Sequence, residues 1–251
     1  MRMILCGADG RMGRVVTELA PARGDTIVCG LSANQDARCD FPVYTSFDQV
    51  REKADIILDF SAPALLMPLL AHARAHSMPV VIASTGHSAQ DLQAIRDAAT
   101  VVPVLRAANM SLGIAVMRRL MRSAQAALQG FDIEIVEKHH RMKKDAPSGT
   151  ALTLFEDLRQ ANPALRRVSA RDGVTGERTD EEVGVFAVRG GTLVGEHTVS
   201  FYGEDEVVEI RHTAHSRRIF GVGALAACRA LLGKPAGLYT LDDVLFGGNE
   251  E

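Results

Sequence analysis

The first third of the chain alternates short apolar runs with amphipathic stretches. Residues 3–6 form an apolar run that ends at glycine, and Met12, Val15, Val16 and Leu19 then recur at helical spacing through residues 12–22. Further β-rich runs follow at 26–31, 54–60 (ADIILDF), 78–83 and 101–105, with a helix-like stretch at 62–75. Strands separated by helices of this length predict βαβ units and a parallel sheet. Runs without polar interruption fit strands covered on both faces.

The pattern then changes. Residues 111–128 predict a long amphipathic helix, and 131–137 (FDIEIVE) alternate as a half-buried strand does. Residues 183–188, 193–201 and 206–212 also alternate, with no helix between them and with Gly190, Gly191, Gly195 and Gly203 in or between them. This predicts an antiparallel, hairpin-rich sheet. The polar, glycine-containing stretch 166–182 reads as a loop. Residues 221–232 read as an apolar helix that ends before Pro235 and Gly237. The fold class expected is α/β: an N-terminal Rossmann-type parallel-sheet domain, an α+β domain with an open mixed sheet, and a final helix packed back on the first domain.

Composition narrows the function. At 251 residues the chain holds one large domain or two modest ones, and with 47% hydrophobic and 24% charged residues it can bury a sizeable core. A net charge of -3, no tryptophan and 5% aromatic content argue against a nucleic-acid coat or a base-stacking surface. Cys6, Cys29, Cys39 and Cys228 form no CxxC pair and no metal-ligand spacing, so free thiols in a reducing compartment are expected. The N-terminal apolar run is too short for a secretory signal, and Pro63, Pro68, His72 and Arg74 interrupt the apolar stretch after Asp59. No membrane partner and a cytoplasmic location are expected.

Two stretches carry chemistry. The first is the turn Gly7-Ala8-Asp9-Gly10-Arg11-Met12-Gly13-Arg14 between the first strand and helix, spaced GxxGxxG. Glycines there let backbone approach a pyrophosphate, and the next helix offers its N-terminal N–H groups and positive dipole end. An acid closing the second strand would favour the ribose 2′-hydroxyl of NAD. The chain has Ser32-Ala33-Asn34 there, while Arg11 and Arg14 can meet a 2′-phosphate, so the sequence leaves NADH and NADPH both open. Ala83-Ser84-Thr85-Gly86 and Ala107-Ala108-Asn109-Met110 follow two later strands, at the edge where open α/β sheets bind ligands.

The second is Glu137-Lys138-His139-His140-Arg141-Met142-Lys143-Lys144-Asp145-Ala146-Pro147-Ser148-Gly149-Thr150-Ala151. It joins a strand to an amphipathic helix for which Ser148 is an N-cap candidate. A carboxylate-bearing substrate can bridge the helix N-terminus and the basic run. Adjacent histidines rarely share one metal ion, and no carboxylate spacing completes a site, so no metal is expected.

This block resembles the substrate-binding segment of the 4-hydroxy-tetrahydrodipicolinate reductase (dihydrodipicolinate reductase) family. G-A-D-G-R-M-G-R resembles its cofactor loop. D-F-S at 59–61, S-T-G at 84–86, A-A-N-M-S-L-G at 107–113 and R-G-G-T-L-V-G-E-H-T at 189–198 match its pattern in order. The resemblance implies His139 and Lys143 as catalytic acid/base residues and His140, Gly149, Thr150 and Arg217 as substrate-binding. It implies cofactor contacts from Gly7, Ala8, Asp9, Gly10, Arg11, Met12, Ala83, Ser84, Thr85, Ala107, Ala108, Asn109 and Met110. It also implies NADPH or NADH as cofactor, a small dicarboxylate substrate and a homotetramer. The domains expected are 1–110 with 218–251 for the dinucleotide, and 111–217 for substrate and oligomerisation. The chain departs from the family pattern at Ala83, where glycine is usual, at Met110, where phenylalanine is common, and at Ala33-Asn34, where an acid–arginine pair is often seen.

The reaction implied is hydride transfer to C4 of a cyclic unsaturated imine dicarboxylate, with protonation at the adjacent position in the diaminopimelate route to lysine. Nearby cations and a proton donor stabilise the electron density that hydride addition creates. Two other classes stay open at this level. A nucleotide-sensing module would bind the dinucleotide without consuming it, and another Rossmann reductase of amino or keto acids would not need the His-His-Lys block.

Overall fold

The computed structural model describes residues 1–34, 36–37 and 39–247. In chain order, β1 (Arg2–Cys6), α1 (Arg11–Leu19), β2 (Thr26–Leu31), β3 (Val43–Tyr44), β4 (Ile56–Asp59), α2 (Leu66–Ala75), β5 (Val80–Ile82), α3 (Ala89–Ala99) and β6 (Pro103–Arg106) come first. Next are α4 (Leu112–Ala127), β7 (Asp132–His139), α5 (Gly149–Ala161), β8 (Arg166–Val168), β9 (Glu182–Arg189), β10 (Gly195–Gly203) and β11 (Glu206–Ala214). The chain closes with α6 (Arg218–Leu231), β12 (Gly237–Tyr239) and α7 (Leu241–Phe246). Two compact units result, Met1–Ser111 with Arg217–Glu251, and Leu112–Ser216. Each crossing lies one residue from the boundary read from sequence, which leaves Ser111 and Arg217 in the first unit. The last four residues of the span 218–251 lie outside the described residues.

The first unit is built on a seven-stranded sheet of order β12-β6-β5-β4-β1-β2-β3, parallel throughout. Every residue of β4 and β5 is buried, the outcome expected for uninterrupted apolar runs. Helix α6 packs on α1 at Gly221, where a Cβ would come within 2.8 Å of Val15 Cγ1 and 2.9 Å of Leu19 Cδ1. The strand order reverses between β1 and β4, so the turn after β1 stands at the switch point where such sheets bind ligands. The sequence pattern did not reveal β3, β12 or α7, each of six residues or fewer. All four cysteines are free, with Cys6, Cys29 and Cys228 buried. Among the described residues no helix is long and apolar enough to cross a membrane.

The second unit holds an open mixed sheet of order β11-β10-β7-β9-β8. Here the antiparallel, hairpin-rich expectation is corrected. β10 and β11 do form a hairpin, but β9 runs parallel to β7, and β8, inside the stretch read as a loop, runs parallel to β9. The reason is α5, which carries the chain from β7 back to the same end of the sheet as a βαβ crossover. The glycine turn after β9 therefore does not close a hairpin. It passes over the end of β7, with Gly190 N donating to His139 O (3.0 Å), His140 N to Leu193 O (2.7 Å) and Arg141 N to Gly191 O (3.2 Å).

The core of this unit joins Met117 and Met121 of α4, Leu154 and Leu158 of α5, and the inward rows of three strands. Register aligns Ile133 with Val183 and Phe201, and Ile135 with Val185 and Val199. Phe201 is fully buried in this layer. We predict that Phe201→Ala lowers the stability of this unit by about 3–5 kcal/mol. Urea unfolding followed by circular dichroism measures it, and a loss below about 1 kcal/mol would contradict a close-packed layer.

Candidate active site

In the first unit, the ends of β1, β4, β5 and β6 converge. Gly7 takes φ +77°, and a Cβ there would meet Phe60 O at 2.7 Å. A Cβ at Gly13 would lie 2.2 Å from Gly7 O and 2.4 Å from Ala8 O. The turn thus folds tightly enough to bring α1 against the strand only because both positions are glycine. Gly10 is the N-cap of α1 and no side chain caps that end, which leaves the first N–H groups for an anion. These features fit a dinucleotide pyrophosphate.

Asp59 organises the neighbouring turns. Its buried carboxylate accepts from Ser61 N (2.9 Å), Ser61 Oγ (2.5 Å) and Ser84 Oγ, and its carbonyl accepts from Ala83 N (2.9 Å). On the next strand Ala107 N donates to Ile82 O (3.2 Å), and Asn109 Oδ1 accepts from Ser111 N (2.9 Å). Ala8 and Met110 are buried, whereas Gly10, Arg11, Thr85 and Ala108 are exposed and Asp9, Met12, Ala83, Ala107 and Asn109 half-buried. The Ser84 hydroxyl is engaged by Asp59, so a ligand at that turn meets backbone and Thr85.

The second unit places its chemistry on a single strand phase. On β7 the inward row reads Ile133, Ile135, Glu137, His139. The core face therefore becomes ionisable at the C-terminal end of the strand, because side chains two apart share a face. Register sets His197 of β10 beside Glu137, and on β9 sets Ala187 beside Glu137 and Arg189 beside His139. Glu137 has no solvent exposure. Arg189 holds it through two bonds (2.8 and 2.6 Å), Ser148 N donates to it (2.9 Å), and His139 Nδ1 lies 2.6 Å from Oε2. Burial pushes the Glu137 carboxyl up, but the bonds from Arg189, His139 and Ser148 outweigh it and hold the group below its ordinary value. An ionised Glu137 requires Nδ1 of His139 to carry the hydrogen, which leaves the lone pair on Nε2. That nitrogen faces Gly195, where a Cβ would lie 2.9 Å from it.

Burial, outweighing Glu137, pushes the His139 imidazole below its ordinary value, with Lys143 and Arg189 adding to the effect. His197 sits edge-on to it, ring centroids 5.2 Å apart, with Nε2 3.0 Å from Ser148 Oγ. Ser148 also caps α5 by accepting from Ala151 N (3.2 Å). Burial lowers the His197 pKa to about 4, and the His139 charge weighs the same way.

The basic run does not form one patch. Lys138 points to the opposite sheet face, where Glu196 pairs with it (2.8 Å) and with Arg211. Lys143 pairs with Asp145 (2.9 Å), and Arg141 and Lys144 are exposed. His140 is half-buried just past the strand, and Gly149 and Thr150 open α5 beside Ser148. Structure thus brings His139, Lys143, Ser148 and the α5 N-terminus together. Arg217, expected in the substrate domain, lies in the first unit as the exposed N-cap residue of α6. Sequence reasoning gave no role to Glu137, Arg189 or His197. The signal was present, since Glu137 and Arg189 fall in phase with the apolar rows of their strands, where a charge must be paired. Among the described residues no group of three or more His, Cys, Asp or Glu side chains is arranged to hold a metal ion.

The fold and this arrangement define a class, the Rossmann-type reductase with an appended mixed-sheet unit. Residues 1–110 match the family model described as dihydrodipicolinate reductase, N-terminus, and residues 113–245 match dihydrodipicolinate reductase, C-terminus. The 4-hydroxy-tetrahydrodipicolinate reductase of Caldanaerobacter subterraneus subsp. tengcongensis is 46% identical over 250 residues, covering 99% of both chains. That of Exiguobacterium sibiricum is 44% identical over 96% of this chain and 95% of its own. A solved dipicolinate-bound dihydrodipicolinate reductase from Paenisporosarcina sp. TG-14 shares the fold with a TM-score of 0.84 at 23% identity, covering 98% of this chain and 99% of that one. The chain belongs to the 4-hydroxy-tetrahydrodipicolinate reductase family.

The buried imidazole predicts an acid limit. Between pH 6.5 and about 4 the unfolded chain binds a proton at His197 that the folded chain refuses. Stability is therefore complete above pH 6.5 and falls as pH drops through that window, by up to about 3 kcal/mol. Urea unfolding at several pH values measures it, and His197→Gln, which keeps a partner for Ser148, should flatten the slope. An unchanged slope would remove His197 as its source.

Proposed function

We propose that the chain catalyses NAD(P)H-dependent reduction of 4-hydroxy-tetrahydrodipicolinate to tetrahydrodipicolinate in the diaminopimelate route to lysine. Family membership over the whole chain supports the reaction. The observation that carries the residue assignment is the fully buried Glu137 fixing His139 beside the start of α5. Bound NAD(P)H supplies the hydride, and the turns at Gly7–Met12, Ala83–Thr85 and Ala107–Met110 would hold it.

The remaining steps belong to side chains and backbone of the chain. Gly149 and Thr150 offer N–H groups and the positive end of α5 to one substrate carboxylate, with His140 and Arg217 as further substrate contacts. His139, held neutral at pH 7 by burial, presents an Nε2 lone pair that orients substrate by accepting a hydrogen bond. The 4-hydroxyl leaves as water with a hydrogen of the neighbouring carbon, which gives the conjugated ring; hydride then adds at C4, and the Lys143 ammonium, close enough to weigh against charging either imidazole, protonates the neighbouring carbon. Glu137 is a positioning residue that acts through His139. We extend the reading to a cytoplasmic homotetramer formed through the second unit's sheet, supported by exposed Val188, Tyr202, Val207 and Val208 on that sheet.

Loss of reduced nicotinamide absorbance, dependent on the product of dihydrodipicolinate synthase, tests the activity. Lys143→Ala and His139→Ala should each lower kcat by about 10²–10⁴. Wild-type turnover in both variants would overturn the assignment, and cofactor binding without consumption would overturn the reaction. For Glu137→Gln, which frees the imidazole tautomer, we expect a lower kcat at little change in KM and a displaced pH profile, with ¹⁵N chemical shifts of His139 reporting a mixture of tautomers.

A further inference from the structure

The end of β2 is where a dinucleotide-binding sheet places the acid that reads the adenosine 2′-hydroxyl. After Leu31 this chain has Ser32, Ala33 and Asn34, and no acid. The fold brings one there from elsewhere. Gly7 N and Ala8 N both donate to Leu31 O (2.8 and 3.2 Å), which lays the glycine turn across the end of β2. Asp9, the next residue of that turn, then accepts from Ser32 Oγ (2.7 Å). Ser32 is buried and held in place. Its N–H donates to Tyr44 O (3.0 Å), and its Oγ accepts from Asn34 N (3.0 Å). The Asp9 carboxylate is therefore aimed by a fixed hydroxyl, with one of its oxygens engaged in this bond.

We infer that Asp9, delivered by the glycine turn and oriented by Ser32, replaces the missing strand-end acid, reads the adenosine 2′-hydroxyl, and makes the chain prefer NADH to NADPH. A 2′-hydroxyl donates to a carboxylate, whereas a 2′-phosphate meets it as a like charge. Arg14 opposes this effect nearby. At the Cys39 thiol, beside the same turn, burial comes first, and the charges of Asp9 and Asp40 weigh one way and that of Arg14 the other. Arg11, exposed at the first position of α1, remains for the pyrophosphate.

This inference rests on the dinucleotide reading of the first unit, and equilibrium binding separates the two. Nicotinamide fluorescence titrations of the full chain with NADH and with NADPH give two dissociation constants without turnover. The wild type should bind NADH at least about 10-fold more tightly, and Asp9→Asn should cut that ratio by about 10-fold or more, chiefly through tighter NADPH binding. Ser32→Ala, which releases the carboxylate without removing its charge, should weaken NADH binding and leave NADPH binding poor. If the wild type binds both equally, or if Asp9→Asn keeps the wild-type ratio, the role of Asp9 is overturned while the dinucleotide reading stands. A chain that binds neither dinucleotide overturns both.

Discussion

A carboxylate wholly removed from water has to be neutralised, and at Glu137 that requirement ties three segments together. Arg189 reaches it from β9, Ser148 from the start of α5, and His139 from two residues further along the same strand. Arg189 also donates to Asp145 O (2.7 Å), so the guanidinium fastens the loop that carries Lys143. Removing one partner of such a cluster strands the others as buried charge, which costs several kcal/mol. The cluster is thus both a structural clamp and the setting that decides which nitrogen of His139 faces outward. The low proton affinity of His197 follows from the same enclosure.

Most of the first unit was legible because its strands are uninterrupted apolar runs and its helices are amphipathic. The glycine turn announced itself by spacing, and Gly7 and Gly13 turn out to be required by backbone approach. Elements such as β3 and β12 were not legible, since two or three residues carry no periodicity and owe their strand geometry to a neighbour. In the second unit, alternation identified the strands but not their partners. Gly190-Gly191 looks like a hairpin turn, yet the strands it joins flank β7. Pairing direction is set by the crossover through α5, a long-range fact that local pattern does not contain.

The site was legible in part. The histidines, lysine and helix start form one contiguous block, and family resemblance named them. Of the side chains that surround His139, Glu137 heads the same block, while Arg189 and His197 come from β9 and β10, distant in sequence and brought in by register. Charge counting along the block also misled, because Lys138 alternates to the other face and is spent on Glu196. A basic stretch on a strand divides its charges between two faces, and only one of them can serve a ligand.

The row Ile133, Ile135, Glu137, His139 has an evolutionary corollary. Gain or loss of a single residue within β7 would turn the whole row over, sending both isoleucines outward and dispersing the ionisable cluster in one event. The stretch 169–177, whose residues are all exposed, lies outside the strands and has no such phase to lose. Frame-preserving codon insertions would find the two regions opposite in tolerance.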